Sequence, residues 1–194
     1  YMDEKDANDN LTGKRVTTND YGSADYYYVN KSSLPKVYGG FNTSLSWKGF
    51  DLSAIFAYSI GGYIYNRDIT MILHNGSLEG RDWSTEILRR WTPDNRYTDV
   101  PALSTTSNNW NSASTRFLQN NSYMRLKNLT LSYNLPKQWI SKLSLSSVQV
   151  YVQGDNLFTI HRNQGLDPEQ GITGITYYRY PAMRTISGGI NVSF

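Results

Sequence analysis

Apolar and polar residues alternate between Val37 and Ile60, the period-two pattern of strands that separate two different environments. A two-residue turn at Lys48-Gly49, of a type whose twist suits tight hairpins, sorts both strands together. Trp47 then faces Phe50, Leu45 faces Leu52, Thr43 faces Ala54, Phe41 faces Phe56, Gly39 faces Tyr58 and Val37 faces Ile60, so this face is apolar or small throughout. The other face pairs Ser46 with Asp51, Ser44 with Ser53, Asn42 with Ile55, Gly40 with Ala57 and Tyr38 with Ser59. It is mostly small and hydrophilic, more like a wet lumen than a packed core. A one-residue slip would destroy the sorting on both strands. The apolar face runs about ten residues per strand, enough for a tilted crossing of a ~25 Å lipid band. Trp47 and Phe50 at one end, with Tyr63 and Tyr65 at the other, sit where interfacial aromatic girdles belong.

The same period returns downstream. Tyr123 to Tyr133 reads as a strand in which Met124 and Leu126 are in one phase and Leu129, Leu131 and Tyr133 in the other, which predicts a bulge near Lys127-Asn128. Leu135-Pro136 ends it, and a helix of one to two turns from Lys137 to Leu143 makes a compact connection. Val148, Val150 and Val152 then share one face of a strand, with Gln149, Tyr151, Gln153 and Asp155 on the other. In the final stretch Ile186, Ile190, Val192 and Phe194 oppose Thr185, Ser187, Asn191 and Ser193. Asp82 to Trp91 predicts a short helix, capped by Asp82 or Ser84, with Glu86 early and Arg89 and Arg90 late.

These elements divide the chain into an outer loop (1–36), a wall hairpin (37–64), a long outer loop with a short helix (65–121), two wall strands joined by a helical turn (122–159), another outer loop (160–182) and a terminal strand (183–194). The connections alternate long and short, as the outer loops and periplasmic turns of membrane barrels do. The expected fold class is therefore all-β, a transmembrane antiparallel β-barrel to which this chain contributes five strands. Single-chain bacterial barrels use an even number from about eight upward, and an open five-stranded wall would leave two unpaired edges in hydrocarbon. The strand at Val37 is thus expected to pair with an earlier segment or another chain, and the strand at Phe194 with the first strand of the barrel.

Composition narrows the remaining choices. In 194 residues, charged groups are 18% and aromatics 14%, with 16 Tyr and 5 Trp. No apolar run approaches the ~18 residues of a spanning helix, which excludes helical membrane proteins but not barrels. With no Cys, disulfides, thiol catalysis and Cys-based zinc sites are ruled out. A net charge of +3 without a basic cluster does not argue for nucleic acid. There is no Ser/His/Asp set, no close carboxylate pair on ordered elements and no phosphate loop, so neither catalytic residues nor a cofactor are expected. His74 and His161 lie far apart and lack a ligand-spaced neighbour, which argues against a metal. Asp6, Asn8 and Asn10 have calcium-loop spacing, but Leu11 stands where glycine is needed and Thr17 where the closing Glu belongs, so a solvated loop is the preferred reading. Tyr26-Tyr27-Tyr28 suits loop packing or a stacking surface.

The stretches SYMRLKNLTLSYNLPKQWISKL (122–143), VQVYVQGDNLFTI (148–160), GLDPE (165–169) and YPAMRTISGGINVSF (180–194) resemble the C-terminal end of SusC-like TonB-dependent transporters. The hairpin 32–62 and RRWTPDNRYTDVPAL (89–103) fit the same family, while residues 1–31 match only loosely. The resemblance implies a barrel of about 22 strands with an internal plug, of which these would be the last five. It implies import of glycans or peptides across the outer membrane of a Gram-negative bacterium, a SusD-like surface lipoprotein as lid, and energy from TonB acting on an N-terminal plug. It also implies that Phe194, with Val192 and Ile190, is read as a barrel-assembly signal as well as facing lipid.

The lipid-facing set is expected to be Phe41, Leu45, Trp47, Phe50, Leu52, Phe56, Val148, Val150 and Val152. Trp83, Trp91, Trp110, Tyr177, Tyr178 and Tyr180 fall on the expected outer side, where most should fold loops or touch the lid and a minority stack on substrate. Two other readings stay open: a soluble carbohydrate-binding β-domain, and a passive barrel or adhesin.

Overall fold

A computed structural model describes residues 2–16, 18, 20–76, 78–104, 111–163, 165–169 and 171–194. Trp110 and Thr17 lie outside them. In chain order the strands are β1 (Met2–Lys5), β2 (Leu11–Val16), β3 (Val37–Trp47), β4 (Phe50–Ile60), β5 (Tyr63–Asn66), β6 (Leu118–Asn120), β7 (Tyr123–Asn134), β8 (Ser147–His161), β9 (Ile175–Thr176) and β10 (Thr185–Ser193). Two compact units result, one of Ser32–Ile64, Gln119–Gly174 and Tyr178–Phe194, the other of Tyr1–Lys31, Tyr65–Leu118 and Ile175–Tyr177.

The first unit is an antiparallel sheet in the order β10-β8-β7-β4-β3. Lys48 and Gly49 both take positive φ, 47° and 87°, the signature of a turn whose twist matches the flanking strands. The register that turn imposes is the one the sorted faces require, from Trp47 opposite Phe50 to Val37 opposite Ile60. Across the sheet, Leu45, Leu52, Leu131, Val152 and Gly188 form one row, and Trp47, Phe50, Tyr133, Val150 and Ile190 the next. Ring pairs stitch this face together: Phe41 stacks on Phe56 at 4.7 Å and Phe50 lies 4.4 Å from Tyr133. The opposite face carries rows such as Ser44, Ser53, Thr130, Gln153 and Ser187. The sheet is open, with β3 and β10 at opposite edges.

The bulge falls where the phase change requires it. Leu126 pairs with Phe56 and Asn128 with Ile55, leaving Lys127 as the extra residue. On the other side β8 accommodates it with Asn156 and Leu157, between Phe158 and Asp155; Asn156 takes a left-handed φ of 52°. The compact connection is a short α-helix, Lys137–Ile140, that tightens into a 3₁₀ turn over Ser141–Leu143.

The second unit departs from expectation in two places. Residues 2–16 form a hairpin, β1 against β2, that the polar composition does not announce. Its turn is made by Asp6, whose carboxylate accepts the Asn8 and Asn10 N–H groups at 2.8 and 2.9 Å. The calcium-like spacing is thus a turn in which the carboxylate serves the backbone. The helix expected over 82–91 shrinks to a 3₁₀ helix, Thr85–Arg89, because Asn95 and Thr98 donate to the Arg89 carbonyl at 2.9 and 2.6 Å and Arg90 turns extended. Ser84 caps its start, accepting from the Glu86 N–H at 3.3 Å. An α-helix, α1 (Arg67–Ile72), follows β5, capped by Asn66 at 3.1 Å.

Candidate functional site

The polar face of the sheet concentrates the hydrogen-bonding chemistry. Asn128 donates to Asp155 at 2.7 Å and Asn134 to Asp51 at 2.7 Å, across neighbouring strands. Near the end of the sheet opposite the Lys48-Gly49 turn, Gly40, Ala57, Arg125 and Thr159 make one row, and Tyr38, Ser59, Tyr123 and His161 make the last. Small residues on both sides of Arg125 leave room above the strands, and the loop after β8 fills it.

That loop is pinned to the wall by charge. Arg125, 3% exposed, donates to Thr159 at 2.8 Å, to Asp167 at 2.5 Å and to Glu169 at 2.8 Å. Lys127, the bulged residue, reaches Glu169 at 2.8 Å. Asp167 also accepts the Glu169 and Ala182 N–H groups at 2.9 and 2.6 Å. Burial works against the Asp167 charge, but these N–H groups and the Arg125 guanidinium outweigh it and hold the carboxyl below its ordinary value of 3.8. Asn121 extends the clamp, donating to the Pro168 carbonyl and accepting from Asn163, both at 2.8 Å. Every polar atom on Arg125 therefore has a partner, as a buried cation requires.

Against this face and loop lies a pocket of about 300 Å3, lined among others by Tyr38, Ser59, Tyr63, Asn121, Tyr123 and Ile172. Sequence patterning brought out none of this constellation. The available signals were Arg125 and Lys127 in the wet phase of a membrane-length strand, where a cation implies an anionic partner, and the acidic pair in GLDPE.

The residues singled out beforehand fall as follows. Phe41, Leu45, Trp47, Phe50, Leu52, Phe56, Val148, Val150 and Val152 lie on the apolar face together with Ile190 and Val192, uncovered by any described residue. Leu45 is 67% exposed and Ile190 65%. Phe194 follows β10 and is exposed. Trp83, Trp91 and Tyr177 belong to the second unit, Tyr178 and Tyr180 to the first. Trp83 packs on the buried His74 ring at 5.3 Å, and the Arg67 guanidinium covers the Tyr177 ring at 4.7 Å. Trp91 is partly exposed and its backbone N–H donates to the Val100 carbonyl at 2.8 Å. Tyr180 projects almost entirely into solvent.

No family model matches the chain. It is 34% identical over 166 residues to TonB-dependent receptor P3 of Formosa agariphila, covering 80% of this chain and 16% of that protein. It is 27% identical over 168 residues to TonB-dependent receptor SusC of Bacteroides thetaiotaomicron, again over 16% of the relative. The solved structure of the RagAB peptide transporter superposes with a TM-score of 0.79 and 35% identity, over 98% of this chain and 20% of that one. The chain thus spans about a sixth of the length of the curated relatives it matches.

Proposed function

The chain belongs, as a partial segment, to the SusC-like TonB-dependent receptors, and on that premise we propose that it builds part of the wall of an outer-membrane transporter that imports glycans or oligopeptides. One observation carries the reading: a five-stranded sheet with one face of apolar or small residues, most of its large side chains exposed, and long enough to cross lipid. A soluble β-domain would bury such a face against a second layer. In this reading Phe41, Leu45, Leu52, Phe56, Val150 and Val152 contact hydrocarbon, and the Ser44, Ser53 and Gln153 face lines the lumen. The edges of β3 and β10 pair with further strands of a larger barrel. Partners are a SusD-like surface lipoprotein over the mouth and TonB, acting through a plug outside this segment. The similarity to SusC and to the RagAB complex supports these assignments.

The test compares two neighbouring positions. Arg at Leu52 should cost ~2–4 kcal/mol of stability in bilayers, and Arg at Ser53 much less. Reversible unfolding of the full-length transporter from lipid vesicles measures both, and equal costs would sink the assignment of faces.

A further inference from the structure

At the end of the sheet where its two short connections lie, cations and indole rings gather without carboxylates. Lys48 and Gly49 turn β3 into β4, and residues 135–146 turn β7 into β8. The connections are neighbours, because the Asn134 N–H donates to the Gly49 carbonyl at 2.8 Å. A Cβ on Gly49 would meet the Asn134 carbonyl oxygen at 3.1 Å, so the turn lies tight against that strand. Lys137 follows three residues after Asn134, a span of at most ~11 Å, and Lys142 belongs to the same connection. Neither connection contains an Asp or Glu. All three lysines are exposed, and among the described residues none of them makes an ion pair. The acidic residue nearest to them in sequence, Asp51, is already bonded to Ser46 and Asn134 on the polar face. Lys48 instead bends back over the Trp47 ring, its Nζ 4.9 Å from the centroid, and Trp47 belongs to the apolar face. Trp47 and Trp139 are each 64% exposed, Trp139 beside the buried Ile140. At the other end of the sheet the cations Arg125 and Lys127 are taken up by Asp167 and Glu169.

We propose that this end of the wall docks the headgroups of anionic phospholipids in the leaflet that faces the periplasm. The inference rests on the reading of the apolar face as lipid-facing and of the short connections as periplasmic. Indole rings settle at the boundary between hydrocarbon and headgroup, with the ring in apolar surroundings and the N–H wet. Lysine stems lie along apolar surface while their ammonium groups reach the phosphate layer. Three such groups with no carboxylate to neutralise them attract an anionic lipid. They gain less from a zwitterionic lipid, which brings its own cation. A soluble acidic partner would match the lysines but not the row of Trp47 and Phe50 that continues into the apolar face.

The experiment uses the full-length transporter in non-ionic detergent, titrated with dioleoylphosphatidylglycerol or dioleoylphosphatidylcholine, with bound lipid counted by native mass spectrometry. The wild type should hold phosphatidylglycerol about tenfold more tightly than phosphatidylcholine. Combining Lys48→Gln, Lys137→Gln and Lys142→Gln should bring the ratio to within about twofold, whereas Arg at the same three positions should preserve it. Lys5→Gln with Lys14→Gln, on the β1–β2 hairpin, should leave it unchanged. Trp139→Ala should weaken both lipids alike, since the ring meets the boundary and not the charge. Equal affinity of the wild type for the two lipids overturns the proposal, as does a preference that survives the three glutamines or falls equally with the hairpin pair. Binding of glycerol 3-phosphate as tightly as phosphatidylglycerol also overturns it, because that anion has no acyl chain to place at the wall. A protein that keeps the Leu52 and Ser53 contrast yet shows no headgroup preference loses the docking site and retains the wall.

Discussion

At the scale of single residues, Arg125 explains most about the lumen. A buried guanidinium near one end of a wall strand has to be fully paired, and its partners lie 34, 42 and 44 residues away at Thr159, Asp167 and Glu169. Arg125→Ala takes the guanidinium away from the Asp167 carboxylate, whose side chain is only 7% exposed, and should weaken the loop's attachment by about 3–5 kcal/mol. Lys127→Ala, at a partly exposed pair, should cost under about 1 kcal/mol. Hydrogen exchange at the Glu169 and Ala182 amides, both bonded to Asp167, reads the difference, and similar protection in the two variants would contradict the ranking. The same carboxyl sets a pH limit. Its folded pKa lies below its unfolded one, so its stabilisation is complete above about pH 3.9 and is lost as pH falls through the lower folded value. Protection of the two amides should accordingly persist at mildly acid pH and fail only in stronger acid.

At the scale of elements, the bulge in β7 is a phase switch. Lys127 is the residue without a partner on β4, and its presence puts Arg125 on the same face as Asn128 and Thr130. Removing it restores a regular ladder against β4 in which Leu126 directly precedes Asn128, so Arg125 keeps the face of Asn128 and Leu126 the apolar one. Deletion of Lys127 and Lys127→Ala should therefore both assemble in the membrane, because each keeps Arg125 on the polar face and Leu126 on the apolar one. Assembly yield in outer-membrane fractions compares the two, and loss of assembly in the deletion alone would show that the bulge is needed for more than the sorting of faces. The 3₁₀ helix over Thr85–Arg89 carries a different lesson. Its capping and charge pattern were helical, yet side chains of the following turn took the Arg89 carbonyl and ended it early. Local propensity lost to a tertiary bond, as it does where a helix is short.

At the scale of the whole molecule, the proposed lid partner makes the second unit testable. Trp83 and Trp91 are each partly exposed; the Trp83 ring also packs on His74, and the Trp91 backbone N–H bonds the Val100 carbonyl. Interfaces enrich such residues, and a few of them dominate binding. Replacing both with Ala in the full-length transporter should lower co-purification of the surface lipoprotein while leaving the amount of barrel in the membrane unchanged. Unchanged complex yield with weaker ligand binding would instead assign these rings to substrate.

What the sequence by itself determined is the wall. Strand positions, the β3–β4 register, the two faces and the bulge near Lys127 follow from a period of two and a turn at Lys48-Gly49, all of which act over neighbouring residues. The family resemblance was also legible, because several of its stretches lie on those strands. Only the tertiary structure decided what the polar excursions do. The β1–β2 hairpin hides in a polar segment because Asp6 spends its carboxylate on backbone N–H groups, which no hydrophobic pattern records. The clamp on Arg125 and the pocket beside Tyr38, Ser59 and Tyr123 depend on a loop folding back against a strand some forty residues earlier. Periodicity reports which face a side chain takes, whereas charge partners that far apart are chosen by where the folded backbone brings them.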